Sequence, residues 1–175
     1  MKRLLIAFLI AALPLSAVAA PTIGKPLPPV TLADKNGGRV DGAPWNSEEI
    51  KDKVYVMFYV DPDEKDLNDH VSDALKKENF PKDKYGSIAI INMAATGLPN
   101  FLINRSLKSK QKEFPDTIYV RDLRKVLVKR WGIDDDNNDV LAFAPDGRLV
   151  FYRAGELSKA DVTELIETIR QHLPD

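Results

Sequence analysis

Lys53-Val54-Tyr55-Val56-Met57-Phe58-Tyr59-Val60-Asp61-Pro62-Asp63-Glu64-Lys65 decides the architecture. Val54 to Val60 is an almost unbroken apolar and aromatic run, without the alternation of a strand that has one wet face, so it reads as a strand covered on both sides. Such strands sit in sheets sandwiched between helices. Beyond the loop Asp61 to Asp66, Leu67, Val71, Ala74 and Leu75 recur at helical spacing and put one apolar stripe on a helix ending near Phe80-Pro81. Tyr85 to Asn92 follows as a second buried strand.

The alternation continues downstream. Met93 to Pro115 is a long connection containing Pro99 and a predicted helix from Phe101 to about Lys112, and Thr117 to Val120 is a third strand. A helix from about Leu123 to Trp131 stops at Gly132, which can take the left-handed cap conformation. Val140 to Ala144 and Leu149 to Tyr152 flank Pro145-Asp146-Gly147-Arg148, a turn sequence that makes them an antiparallel hairpin. Ser158, with Asp161 three residues on, starts a closing helix whose Val162, Leu165, Ile166, Ile169 and Leu173 share one face. Upstream of the first core strand, Asn46 and Glu49 have capping-box spacing. Val30 to Leu32 is expected to turn through Asn36-Gly37-Gly38 and return at Arg39-Val40 as an N-terminal hairpin.

The first residues read as a targeting segment. Lys2 and Arg3 precede an apolar stretch from Leu4 to Leu15, and Ala17-Val18-Ala19 supplies a small-x-small cleavage site. We therefore expect a signal peptide over 1–19, a single domain over 20–175, and a periplasmic location. No transmembrane segment is expected after the signal is removed. Loss of Lys2 and Arg3 leaves 23 basic against 26 acidic side chains, a formal charge of −3. That balance does not favour nucleic acid as a partner. The 175 residues contain no cysteine, so there is no thiolate to attack a disulfide or be attacked.

Strand, helix, strand, helix, strand, helix, hairpin and closing helix is the order of a thioredoxin-like domain with an inserted segment. Gly24-Lys25-Pro26-Leu27-Pro28-Pro29 before Val30-Thr31-Leu32 resembles the opening of secreted domains of that kind, and Trp131-Gly132-Ile133 resembles the step before its penultimate strand. Trp45-Asn46-Ser47, Phe80-Pro81-x-Asp83-x-Tyr85, Ile91-Asn92, Arg105-Ser106-x-Lys108, Phe114-Pro115 and Asp146-Gly147-Arg148 follow in an order and spacing that, over nearly the whole mature length, resembles the YtfJ family of small periplasmic proteins. That resemblance implies an α/β fold: a thioredoxin-like three-layer sandwich, with a central mixed β-sheet, helices on both faces and an N-terminal β-hairpin. It also implies no cysteine pair and no established activity. Asp61-Pro62-Asp63-Glu64-Lys65 stands where the redox motif would be, and Asn138 falls at the vestigial cis-proline position.

Two acidic loops are the candidate site: Asp61, Asp63, Glu64 and Asp66 after the first core strand, and Asp134, Asp135, Asp136 and Asp139 before the hairpin. In a thioredoxin-like fold they face each other, and their combined field could attract Ca²⁺ or a basic partner. A calcium-loop motif is not met, because counting from Asp134 puts Asp139 at the sixth position, where Gly belongs, and Pro145 at the twelfth. His70 and His172 are the only histidines and read as surface or half-buried helix residues. The basic side chains Arg105, Lys108, Lys110 and Lys112, then Arg121, Arg124, Lys125, Lys129 and Arg130, read as wet helix faces or as a face that docks on an anionic surface, such as lipid headgroups or an acidic protein. No cofactor is expected apart from the possibility of Ca²⁺ at the acidic crevice. The leading expectation is a non-catalytic binding or accessory module of the cell envelope, with an unidentified envelope protein as its partner. The alternative is a divalent-cation-dependent enzyme or cation-binding protein.

The mature protein is predicted to begin at Ala20 and to be released when the outer membrane is opened. Intact-mass measurement of native protein checks this; recovery of the Met1 terminus from cytosol would overturn it.

Overall fold

The computed structural model describes residues 20–174, so the expected signal peptide lies outside the described residues. In chain order the strands are β1 (Thr31–Leu32), β2 (Gly37–Arg39), β3 (Trp45–Asn46), β4 (Val54–Val60), β5 (Tyr85–Asn92), β6 (Thr117–Asp122), β7 (Asn138–Phe143) and β8 (Leu149–Arg153). The helices are α1 (Asp69–Glu78), α2 (Asn100–Glu113), α3 (Val126–Trp131) and α4 (Lys159–His172). None of them is long and apolar enough to cross a membrane.

A six-stranded mixed sheet runs β2-β6-β5-β4-β7-β8. The strands β4, β5 and β6 are parallel, while β7 returns antiparallel to β4 and β8 antiparallel to β7. Parallel neighbours require crossover connections, which α1 and α2 supply. Alternate residues of each strand point to opposite faces and sort the core into layers. Met57, Tyr59, Ile88, Ile90, Val120, Leu141 and Phe143 pack on one face against Trp45, Leu127 and Trp131. On the opposite face, Val54, Val56, Val140 and Ala142 meet Val71 and Leu75 of α1 and Leu165 and Ile169 of α4. Farther along that face, Val60, Ile91 and Tyr119 meet Ile103 and Leu107 of α2. This is the expected three-layer arrangement, with α1, α2 and α4 on one side and α3 on the other.

Local chemistry sets several boundaries. Both capping boxes form: Asn46 with Glu49 starts a short 3₁₀ turn, and Ser158 with Asp161 starts α4. Gly132 adopts the left-handed cap at φ 67°. Helix α3 begins at Val126 instead of Leu123. The Asp122 carboxylate accepts from the Arg124 and Leu127 amides at 3.0 Å, which holds Leu123 to Lys125 in a turn, and Lys125 enters the helix from a left-handed conformation.

The N-terminal antiparallel pair exists, but its second strand is not the expected one. Leu32 pairs with Trp45 in β3, whereas β2 joins the edge of the main sheet against β6. The glycines explain the difference, since Gly37 and Gly38 are not a turn but extended at φ 126° and 125°, a region closed to side chains. A Cβ at Gly37 would stand 1.8 Å from the Arg121 carbonyl oxygen. The two glycines therefore serve close backbone approach to β6, and the Arg121 guanidinium closes the contact by donating to the Arg39 carbonyl at 2.6 Å.

Gly37→Ala is predicted to destabilise the fold by about 3 kcal/mol or more, combining a forbidden dihedral with a backbone clash. Gly97→Ala, where an added Cβ meets nothing within 4 Å, should stay within about 0.5 kcal/mol of the parent. Urea unfolding of both variants tests the contrast.

Candidate functional site

The strands β4, β5 and β6 end together, and in open α/β sheets the crevice beyond the carboxyl ends of parallel strands is where ligands bind. Here the two acidic loops do adjoin, because the Asp61 amide donates to the Asn137 carbonyl at 2.8 Å. Their carboxylates nevertheless take separate local tasks. Asp61 is buried and caps the 3₁₀ turn Pro62–Glu64 by accepting from the Asp63 amide at 2.9 Å. Burial pushes its carboxyl above the usual range, and the charges of Asp63, Asp136 and Asp135 add to that. Asp63 accepts from the Thr96 hydroxyl at 3.1 Å, and exposed Asp66 pairs with Lys65. The Glu64 side chain is exposed, and its backbone carbonyl accepts from the Asn138 side-chain Nδ2 at 3.1 Å.

In the second loop, Lys125 reaches Asp135 at 2.7 Å and Asp136 at 3.3 Å. Burial opposes ionisation of Asp135, but hydrogen bonds from Lys125 and from Asn92 at 2.9 Å outweigh it and hold its carboxyl below the usual range. Asp134 is exposed and accepts from the Asn137 side-chain Nδ2 at 3.3 Å. Asp139 points inward. It is fully buried, accepts from the Asp134 amide at 2.9 Å and the Tyr152 hydroxyl at 3.2 Å, and leaves its Oδ1 without a protein partner. Desolvation pushes its carboxyl up to about 7. Among the described residues no group of three His, Asp or Glu side chains could hold a metal ion.

Asn138, expected at the vestigial cis-proline position, is buried, and there is no cis peptide bond among the described residues. Its carbonyl accepts from Asn68 at 3.0 Å, and Asn68 also donates to the Gly155 carbonyl at 2.9 Å and accepts from the Leu157 amide at 3.0 Å. Asn68 thus ties together the start of α1, the start of β7 and the lead into α4. A second buried tie joins the Tyr59 hydroxyl to Asp122 at 3.2 Å. The sequence reading singled out neither. Asn68, next to Leu67 at the start of the helical stripe, was the available signal, while the partner of Asp122 lies 63 residues away.

One feature on this side of the sheet is mainly apolar. A groove of about 790 Å³ lies between α1 and α2 and runs from Pro62 and Asn138 to Tyr85 and Phe114. Phe58, Ser87 and Ala89 form its floor, with Leu75 on one wall and Leu102 and Leu107 on the other. It lies where the two apolar clusters on this face of the sheet share only Phe58: Ser87 and Ala89 are too small to fill the space between the helices. Phe58, Ser87 and Ala89 are consequently half-buried in mid-sheet, and Phe58 is not covered as β4 was expected to be.

A family model described as "Bacterial protein of unknown function (YtfJ_HI0045)" matches residues 22–172. The chain is 25% identical over 159 residues to "Uncharacterized protein YtfJ" of Escherichia coli strain K12, covering 86% of each. It is 28% identical over 130 residues to a Haemophilus influenzae protein, covering 72% of this chain and 70% of that one. Among solved structures, a provisionally named thiol:disulfide interchange protein DsbE of Chlorobium tepidum superposes with a TM-score of 0.64 at 13% identity, over 89% of this chain and 100% of the other. At that identity the likeness shows the thioredoxin-like fold alone.

Asp139 generates a pH prediction. Between the ordinary 3.8 and about 7 the folded state keeps a proton that the unfolded chain releases, so stability falls as pH rises through that window and levels off above it. The gap corresponds to at most about 4 kcal/mol. Asp139→Asn should remove this fall, matching the parent near pH 4 and exceeding its Tm at pH 8. An unchanged slope from pH 4 to 8 would assign the effect to another group.

Proposed function

Because the chain belongs to the YtfJ_HI0045 family of bacterial proteins, we propose a function from its own geometry: an exported, periplasmic binding or accessory module that acts by contact and not by turnover. The observation that carries this is the open apolar groove beside a redox edge that has no sulfur. Thiol–disulfide exchange needs an attacking thiolate, and Asp61-Pro62-Asp63-Glu64-Lys65 offers only oxygen and nitrogen. What remains of the fold's binding surface is then free to bind.

The cation-dependent alternative draws on the acidic loops. It is the weaker reading, since Lys125 already pairs with both Asp135 and Asp136, Lys65 is paired with Asp66, and Asp139 is turned into the core. A divalent ion needs several oxygen ligands to converge.

Two measurements test the proposal. Purified protein should reduce insulin no faster than the uncatalysed background. A photo-crosslinking residue in place of Leu102, on the groove wall, should capture a periplasmic partner that the same residue at Lys159 does not. Insulin turnover by a clean preparation, or equal capture from both positions, would sink it.

A further inference from the structure

We propose that the groove between α1 and α2 is a site for a single-chain anionic amphiphile, its alkyl tail lying along the sheet and its charged head held between Lys76 and Lys110. This rests on the reading of the groove as a binding site and names what fills it.

The floor excludes one familiar mode. It is built from β4, β5 and β6, which are hydrogen-bonded to one another along their lengths, so the groove presents no free strand edge to which an extended peptide could add. An occupant must be held by its side of apolar contact. The floor follows β5 from Tyr85 to Ile91, about 20 Å at strand rise, which suits an extended long alkyl chain more than a compact ring system. A volume of about 790 Å³ falls within the ordinary range of small-molecule sites.

Charge then orients the occupant. Both α1 and α2 follow a parallel strand and run back along the same face, so their last turns share one end of the groove. Lys76 stands in the last turn of α1 and Lys110 in that of α2, and both line the groove. Neither makes an ion pair among the described residues. The other charged groups of the rim, Asp69, Asp73 and the Asp66-paired Lys65, belong to the opposite end and middle. A tail with an anionic head is therefore complementary in one direction, head toward Lys76 and Lys110 and tail toward Leu102 and Pro62.

Calorimetric titration of the purified chain with laurate, dodecyl maltoside and dodecyltrimethylammonium, each below its micelle concentration, separates tail from head. Laurate should bind one to one and at least about tenfold more tightly than the other two. Lys76→Met with Lys110→Met, two exposed changes, should erase that preference by weakening laurate, with dodecyl maltoside unchanged and dodecyltrimethylammonium unchanged or tighter. Ala89→Phe, with its fold checked by circular dichroism, should block all three by filling the floor. Equal affinity for the three heads in the parent, or laurate binding undiminished in both variants, would overturn the proposal. Absence of laurate binding while a Leu102 crosslink still captures a partner would overturn it too, but would leave the binding-module reading standing. Absence of both would take that reading down as well.

Discussion

Strand β4 is hydrogen-bonded on both edges, parallel to β5 on one side and antiparallel to β7 on the other. That double pairing fixes the rest of the molecule. The parallel edge forces a crossover, which is α1. The antiparallel edge brings Asn138 opposite Val60, and with it the loop that carries Asp134 to Asp136. Where the sheet changes from parallel to antiparallel, the backbone of Asp61 and Asn137 meets. Related folds place their chemistry at such a change of direction. Here that change of direction carries no sulfur.

Much of this was legible in the sequence because it is written in local patterns. The bounds of β4 and β5 follow from two apolar runs, and the starts of the 3₁₀ turn and α4 follow from capping boxes at Asn46 and Ser158. The misreadings arose where tertiary contact overrode a local signal. Asn36-Gly37-Gly38 has the composition of a hairpin turn, yet the glycines are used for the approach of β2 to Arg121, a partner more than eighty residues away. Likewise the reach of Asp122 to the Leu127 amide delays α3 beyond where its apolar pattern begins.

The candidate site was legible only in part, for a related reason. Acidic residues show in a sequence, and the convergence of their loops follows from the fold. How each carboxylate is satisfied depends on Lys125, Asn92, Thr96 and Tyr152, which come from other elements. The groove was not legible at all. It is defined by what Ser87 and Ala89 lack, and a small side chain in a buried strand has no periodicity of its own.

The edges of the sheet bear on how crowded a solution of this protein can become. On one side the outermost strand is β2, only three residues long, bent by two glycines at positive φ and ending in Arg39. On the other, the start of β8 is covered by residues 24–26, where Gly24 and Lys25 exchange backbone hydrogen bonds with Leu149 and Pro26 bridges Arg148. Short, charged, glycine-distorted or proline-covered edges are poor templates for strand addition. The sheet is thereby guarded against fibril-like growth from copy to copy.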